Sequence, residues 1–249
     1  MTPWVQRLLF ANIGVFLVQM SMPGVTRLLA LVPAAILVRP WTLLTYMFAH
    51  STFSLSHILF NMFALYIFGP RVEARIGSAR FIRMYLAAGI TGGILSFFFT
   101  PYVSIVGASG AVFGVQLAYA MFYPRDKIFI WGVIPVEARV LVIVMTLISI
   151  YSGFRGGGGV AHFAHLGGYL GAWLYLRWSE KRTPSKQWQA KVAGPPAAAV
   201  PLGDWRSVDL ACVHEVNRDE VARILDKIRT QGEGSLSSQE RVFLGHFTA

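Results

Sequence analysis

Acidic residues are nearly missing from most of this 249-residue chain: only Glu73, Asp126 and Glu137 occur before residue 180, and the other nine of the 12 Asp and Glu follow it. That shift marks a domain boundary. Cys212 is the only cysteine, which excludes an intramolecular disulfide and leaves the apolar region without a thiolate nucleophile or a cysteine zinc site. Charge of either sign is scarce, 14% against 55% hydrophobic residues, and this balance excludes an ordinary soluble surface. The formal charge of +10 does not point to nucleic acid, because the basic residues sit in short loops between apolar runs and not on one face.

What is present instead is a series of long apolar runs. A spanning helix needs roughly 20 mostly apolar residues, and six segments approach this: about 5–21, 55–70, 80–100, 109–124, 133–152 and 160–178. The first has no small-residue cleavage site before a soluble domain, so it reads as an uncleaved span and not as a signal peptide. The stretch 22–54 is apolar but broken by Pro23, Pro33 and Pro40, and reads as an interfacial segment. The expected fold is therefore an all-α polytopic membrane protein, a six-helix transmembrane bundle over 1–179, then a linker over 180–205 and a small helical cytoplasmic segment over 206–249.

Lys and Arg give the orientation. Arg71, Arg75, Arg80 and Arg83 follow the second run, Arg125, Lys127 and Arg139 the fourth, and Arg177, Lys181, Arg182, Lys186 and Lys191 the sixth; the opposite side holds only Arg27, Arg39 and Arg155. The positive-inside rule then puts both termini in the cytoplasm of a cell whose inner membrane holds the chain, with helices two, four and six running from outside to inside. Glycines at Gly89/Gly92/Gly93, Gly110/Gly114 and Gly167/Gly168/Gly171 allow close helix contacts, tightest between helices four and six.

Polar groups inside apolar helices are costly and point to function. Here they are His57, Asn61, Ser109, His162 and His165. His57 and Asn61 share one helix face at i and i+4, Ser109 opens helix four in Gly107-Ala-Ser-Gly110, and His162 and His165 lie one turn apart in helix six. All five begin helices of the same direction, so they lie at similar depth. A serine becomes a nucleophile when a neutral imidazole takes its proton, and the acyl transition state needs donors aimed at the oxyanion. His165 can be the base; His57, Asn61 and the Ser109 backbone N–H can be the donors.

These residues carry a resemblance. Gly-x-Ser-Gly opening helix four, His-x-x-x-Asn in helix two, His-x-x-Gly in helix six and Glu73-Ala-Arg75-Ile-Gly77 after helix two are similar to the motifs of the rhomboid intramembrane proteases, over about residues 35–178. The resemblance implies a Ser109–His165 dyad with no acidic third member, support from Gly107, Gly110, Phe113, His162 and Gly168, and cleavage of single-span membrane substrates within the lipid bilayer. It also prefers His165 over His162 as the base, through Gly168 three residues later. Two positions depart from the family: Thr42 stands where Trp-Arg is usual, leaving Arg39 as its substitute, and Phe113 replaces a frequent tyrosine, keeping the ring and losing a hydroxyl.

Blander readings exist for each group. A Ser between glycines is by itself a packing residue bonded to its own i−4 carbonyl, and His57 with Asn61 can be interhelical glue. His162 with His165 lacks an acidic or cysteine partner, so no metal site and no cofactor are expected. The run Gly156–Gly159 reads as a flexible lid over the site or as an undemanding surface loop, the lid being the preferred reading. In the tail, Val221, Ile224, Leu225 and Ile228 predict an amphipathic helix ending at Gly232, with a short helix starting near Ser237. The alternative function is a catalytically silent relative that binds or escorts membrane proteins; a transporter would more typically carry intramembrane Asp or Glu.

Overall fold

The computed structural model describes residues 1–130, 132–155, 161–181 and 202–248. The chain divides into two compact units, Met1–Ser179 and Glu180–Ala249. The first unit contains helices α1 (Pro3–Ser21), α2 (Gly24–Leu29), α3 (Thr42–Thr45), α4 (Leu55–Ile76), α5 (Ser78–Phe99), α6 (Ser109–Phe122), α7 (Ala138–Arg155) and α8 (His162–Lys181). The six long helices coincide with the six apolar runs. By length and composition alone, α5 and α7 are long and apolar enough to cross a membrane, and α6 is a shorter apolar helix.

The centre of the unit is α6. Its residues from Gly110 to Val115 and from Ala118 to Ala120 are buried, as expected of a helix apolar on all sides, and α4, α5 and α7 pack around it. By contrast α7 buries only Ala138 and Ser149 and turns Ile143, Val144, Leu147, Tyr151 and Phe154 outward. Large apolar side chains also face outward on α1, α4, α5 and α8, among them Phe10, Phe63, Phe98 and Trp173. A water-facing surface rarely carries so much exposed apolar area.

Chain reversal between α4 and α5 is immediate because Gly77, at φ 83°, ends one helix and starts the next. Beside it Glu73, 2% exposed, accepts hydrogen bonds from the backbone N–H of Trp4 (3.0 Å) and Val5 (3.0 Å) and from the Ser78 hydroxyl (2.6 Å). Those N–H groups at the start of α1 have no partner within their own helix. One carboxylate thus ties α1 to the α4–α5 corner. Glu73→Ala should lower the stability of the unit by about 2–3 kcal/mol, the scale of charge-assisted hydrogen bonds lost from a buried site, read as a lower unfolding midpoint in detergent; an unchanged midpoint would contradict this role.

The all-α expectation needs one correction. Between α6 and α7 the chain forms an antiparallel hairpin, β1 (Lys127–Ile130) and β2 (Ile134–Glu137), with Phe129 opposite Pro135. The fifth helix accordingly begins at Ala138 and not near 133. Ile128, Phe129, Ile130, Ile134 and Val136 favour extended backbone, Pro135 is tolerated at a strand edge, and Gly132 supplies a positive φ of 73° at the turn. At the same end of the bundle the Arg71 guanidinium donates to the Tyr119 hydroxyl (2.9 Å), pairs with Asp126 and lies over the Tyr123 ring.

In the second unit, α9 (Glu215–Gln231) and α10 (Ser238–Gly245) enclose Val213, Val221, Ile224, Leu225, Ile228, Leu236 and Leu244. Gly232 at φ 80° ends α9. Ser237 and Glu240 cap α10 reciprocally, at 2.8 and 3.2 Å. Glu240 also receives Lys227 (2.9 Å) and Arg223 (2.8 Å); the Lys227 ammonium, the Ser237 backbone N–H and the Arg223 guanidinium together hold its carboxyl down at about 2. A carboxylate with a depressed folded pKa stabilises above its ordinary value and loses that contribution as pH falls. The methyl resonances of Ile224 and Leu225 in the full-length protein should therefore lose dispersion as pH drops from about 5 towards 2, and Glu240→Gln should remove most of this dependence. The glycine run 156–159 and most of the expected linker, 182–201, lie outside the described residues.

Candidate active site

The polar residues singled out in the apolar helices come together in one place. His57 and Asn61 stand in the first two turns of α4, Ser109 is the first residue of α6, and His162 and His165 are in the first turn of α8. Three separate helix starts meet because α6 and α8 touch through glycine. A Cβ built on Gly168 would land on the Gly110 carbonyl oxygen, and one on Gly110 would lie 3.1 Å from the Ala164 carbonyl. On the other side of α8, Gly167 is held against α5, where a Cβ would lie 2.6 Å from the Thr91 carbonyl.

At this contact the Ser109 Oγ and His165 Nε2 are 2.8 Å apart. The serine hydroxyl is not turned back on its own helix, as it would be in a packing role. With the proton on Nδ1, the His165 Nε2 is the acceptor of the hydroxyl. The ring is 8% exposed and is fixed from one face by Phe113, whose ring stacks on it with centroids 4.0 Å apart and planes 20° apart. Loss of a tyrosine hydroxyl at 113 leaves this stacking intact. His162 stands edge-on to His165, centroids 6.0 Å apart.

The donors lie on the other side of Ser109. The Ser51 backbone N–H donates to His57 Nδ1 at 3.3 Å, so a neutral His57 carries its proton on Nε2. A Cβ on Gly107 would be 2.7 Å from that Nε2 and 3.8 Å from the Ser109 Oγ. Gly107 is required twice, by its φ of 125° and by the room it leaves for the His57 N–H beside the serine. The Asn61 amide donates one hydrogen to the His57 carbonyl at 2.8 Å, which orients the side chain and leaves its second hydrogen for another acceptor. The Ser109 N–H, at the helix start, has no acceptor within its own helix.

Two neighbours were not evident from the sequence. The Gly107 N–H donates to the Tyr46 carbonyl at 2.9 Å, and the Tyr46 hydroxyl donates to the Gly89 carbonyl at 2.6 Å, so segment 46–50 underlies the serine loop. His50 is fully buried, with its ring edge-on to His57 at 5.2 Å, and Gln19 grips its backbone through both amide atoms. Both residues fall in the proline-broken stretch, where no periodicity marks a buried face. Thr42 turns its hydroxyl onto the Arg39 carbonyl (2.6 Å), while Arg39 reaches the Arg27 carbonyl (3.4 Å) and so joins this segment to α2.

The dyad opens into a cavity of about 1510 Å³ between α4 and α7, with Ser51, Ser54 and Ser104 at one end and the hairpin residues Ile128 to Ile130 at the other. Its walls are mostly apolar: Phe60, Phe63 and Ile67 from α4, Leu141 and Met145 from α7. The arrangement can receive an apolar chain and present its carbonyl to a serine with a base on one side and donors on the other.

Comparison with known proteins gives a consistent set of similarities. The family model described as the Rhomboid domain matches residues 38–179. "Rhomboid protease GluP" of Bacillus subtilis (strain 168) is 39% identical over 136 residues, covering 54% of this chain and 25% of that protein. "Putative rhomboid protease YdcA" of the same organism is 32% identical over 149 residues, 57% of this chain and 70% of its own length. "RHOMBOID-like protein 7" of Arabidopsis thaliana is 33% identical over 134 residues, 54% of this chain and 41% of that protein. The match therefore spans less than half the length of the first and third of these relatives.

Proposed function

Because the chain belongs to the rhomboid family, whose domain is that of a multi-pass membrane protein, we propose that it is an intramembrane serine endopeptidase acting on single-span membrane proteins. The observation that carries this reading is the 2.8 Å approach of Ser109 Oγ to His165 Nε2 at the wall of an apolar cavity. A substrate segment enters between α4 and α7 and unwinds near the serine. The Ser109 Oγ attacks its carbonyl carbon as the hydroxyl proton passes to His165 Nε2. Negative charge on the carbonyl oxygen is met by His57 Nε2–H, the free Asn61 hydrogen and the Ser109 N–H. The intermediate collapses with cleavage of the C–N bond, and His165 returns the proton to the leaving amine. Water, deprotonated by His165, then releases the acyl group as a carboxylate.

A fluorophosphonate tests the activated hydroxyl directly: Ser109 in folded protein should label, and Ser109→Ala and His165→Ala should not. Folded wild-type protein that stays unlabelled would favour a silent relative that binds or escorts membrane proteins.

In this reading all six long helices cross the inner membrane and both termini are cytoplasmic, because Arg71, Arg75, Arg80, Arg83, Arg125 and Lys127 gather at one end of the helices. Cys212, the single cysteine and an exposed one, is a built-in reporter. A membrane-impermeant maleimide should fail to label it in intact spheroplasts and label it fully after permeabilisation. Equal labelling in both would reverse the orientation.

A further inference from the structure

The polar lining of the cavity is graded with depth. Serines line the outer mouth, and His57, Asn61, Ser109 and His165 form a ring at the level of the dyad. Farther in, the walls are apolar, with Ala64, Ile67 and Phe68 on α4 and Leu141 and Met145 on α7. Among the described lining residues the one polar side chain below the ring is Gln116. It lies two helical turns after Ser109 on the same face of α6, about 10 Å further in. Its Oε1 is buried and has no hydrogen-bond partner among the described residues. Buried amides in apolar surroundings are ordinarily paired, since leaving one unpaired costs stability.

We propose that Gln116 is a specificity-determining residue that selects membrane segments carrying an amide side chain, Asn or Gln, a few residues after the bond to be cut. This deepens the protease reading and rests on it. A segment held open at Ser109 and continuing inward in extended form, at about 3.3 Å per residue, brings its third residue after the cut beside Gln116. There a side-chain amide accepts from the Gln116 Nε2, and rotation of the Gln116 amide brings its Oε1, covered in the structure, round to the substrate's own N–H. A leucine at that place leaves the Gln116 Oε1 unpaired, and a site built to hydrogen-bond discriminates against a substrate that cannot.

The experiment scans a single Asn through the first six residues after the cut in an otherwise leucine-rich reporter. One position near the third should raise kcat/KM about three- to tenfold over Leu, the scale of a neutral hydrogen bond. Gln116→Leu, and Gln116→Met as an unbranched replacement of similar length, should bring that ratio to about one. A flat scan, or a ratio that both variants leave unchanged, overturns the proposal. In parallel, the Ser109→Ala chain is titrated with the Asn and Leu segments in micelles, with and without Gln116→Leu. A Gln116-dependent preference in binding with no cleavage by the wild-type chain would sink the protease reading and leave this recognition standing. Cleavage without any such preference would do the reverse.

Discussion

Replacing Ser109 or His165 by Ala is expected to abolish cleavage of a single-span reporter while leaving the helices in place. Ser109 Oγ and His165 Nε2 lie 2.8 Å apart; as the proposed dyad they would act as one unit, so removing either should cost nearly as much as removing both, at least about a thousandfold. The two single variants and the double variant should therefore share one residual rate. The structural cost is small, because Ser109→Ala removes one oxygen and His165→Ala leaves Phe113 still packed on Tyr169. Undiminished cleavage by either purified variant would remove the dyad from the mechanism.

Gly168→Val should be nearly as damaging without touching either reacting atom. The first carbon of the new side chain would fall on the Gly110 carbonyl oxygen, and Gly114, where a Cβ would lie 2.5 Å from that of Ala88, stops α6 from yielding towards α5. Helix α8 must move instead, and it carries His165 less than one turn away. A displacement of about 1 Å at a reacting pair can cost a hundredfold in rate, and overpacking costs about 1–3 kcal/mol in stability. Both losses should be measurable, together with loss of fluorophosphonate labelling. Gly14→Ala, whose Cβ would meet nothing within 4 Å, is the matched control and should change neither.

How much of this was legible beforehand differs from element to element for physical reasons. The long helices are readable because apolar runs of that length have few other uses, and α9 because Val221, Ile224, Leu225 and Ile228 keep helical spacing up to Gly232. The hairpin at 127–137 is not readable, because Ile128, Phe129, Ile130 and Val136 are as apolar as the helix that follows and length alone cannot separate them. Ser109, His165, His57 and Asn61 attract notice as polar groups in apolar helices at equal depth. Their approach is legible too, since Gly110 and Gly168 mark helices four and six as the closest pair, but the distances themselves come only with the packing of α6 on α8. Tyr46 and His50 show no period at all. Gln116 is absent from the polar groups that the sequence singles out, and only its place in the cavity lining brings it into view.

The brevity of α6 has its own consequence. At 14 residues and about 1.5 Å per residue it measures roughly 21 Å, against a hydrocarbon thickness of roughly 30 Å. In the proposed topology, with the end at Phe122 level with one membrane surface, the start falls about 9 Å short of the other, and the depth of Ser109, the proposed nucleophile, is a ruler reading set by helix length. Bilayer thickness then becomes a variable of the reaction. A thinner host membrane brings Ser109 closer to bulk water and shifts the cut along the substrate, while a thicker one buries it, so the same chain should choose different bonds in short- and long-chain lipids.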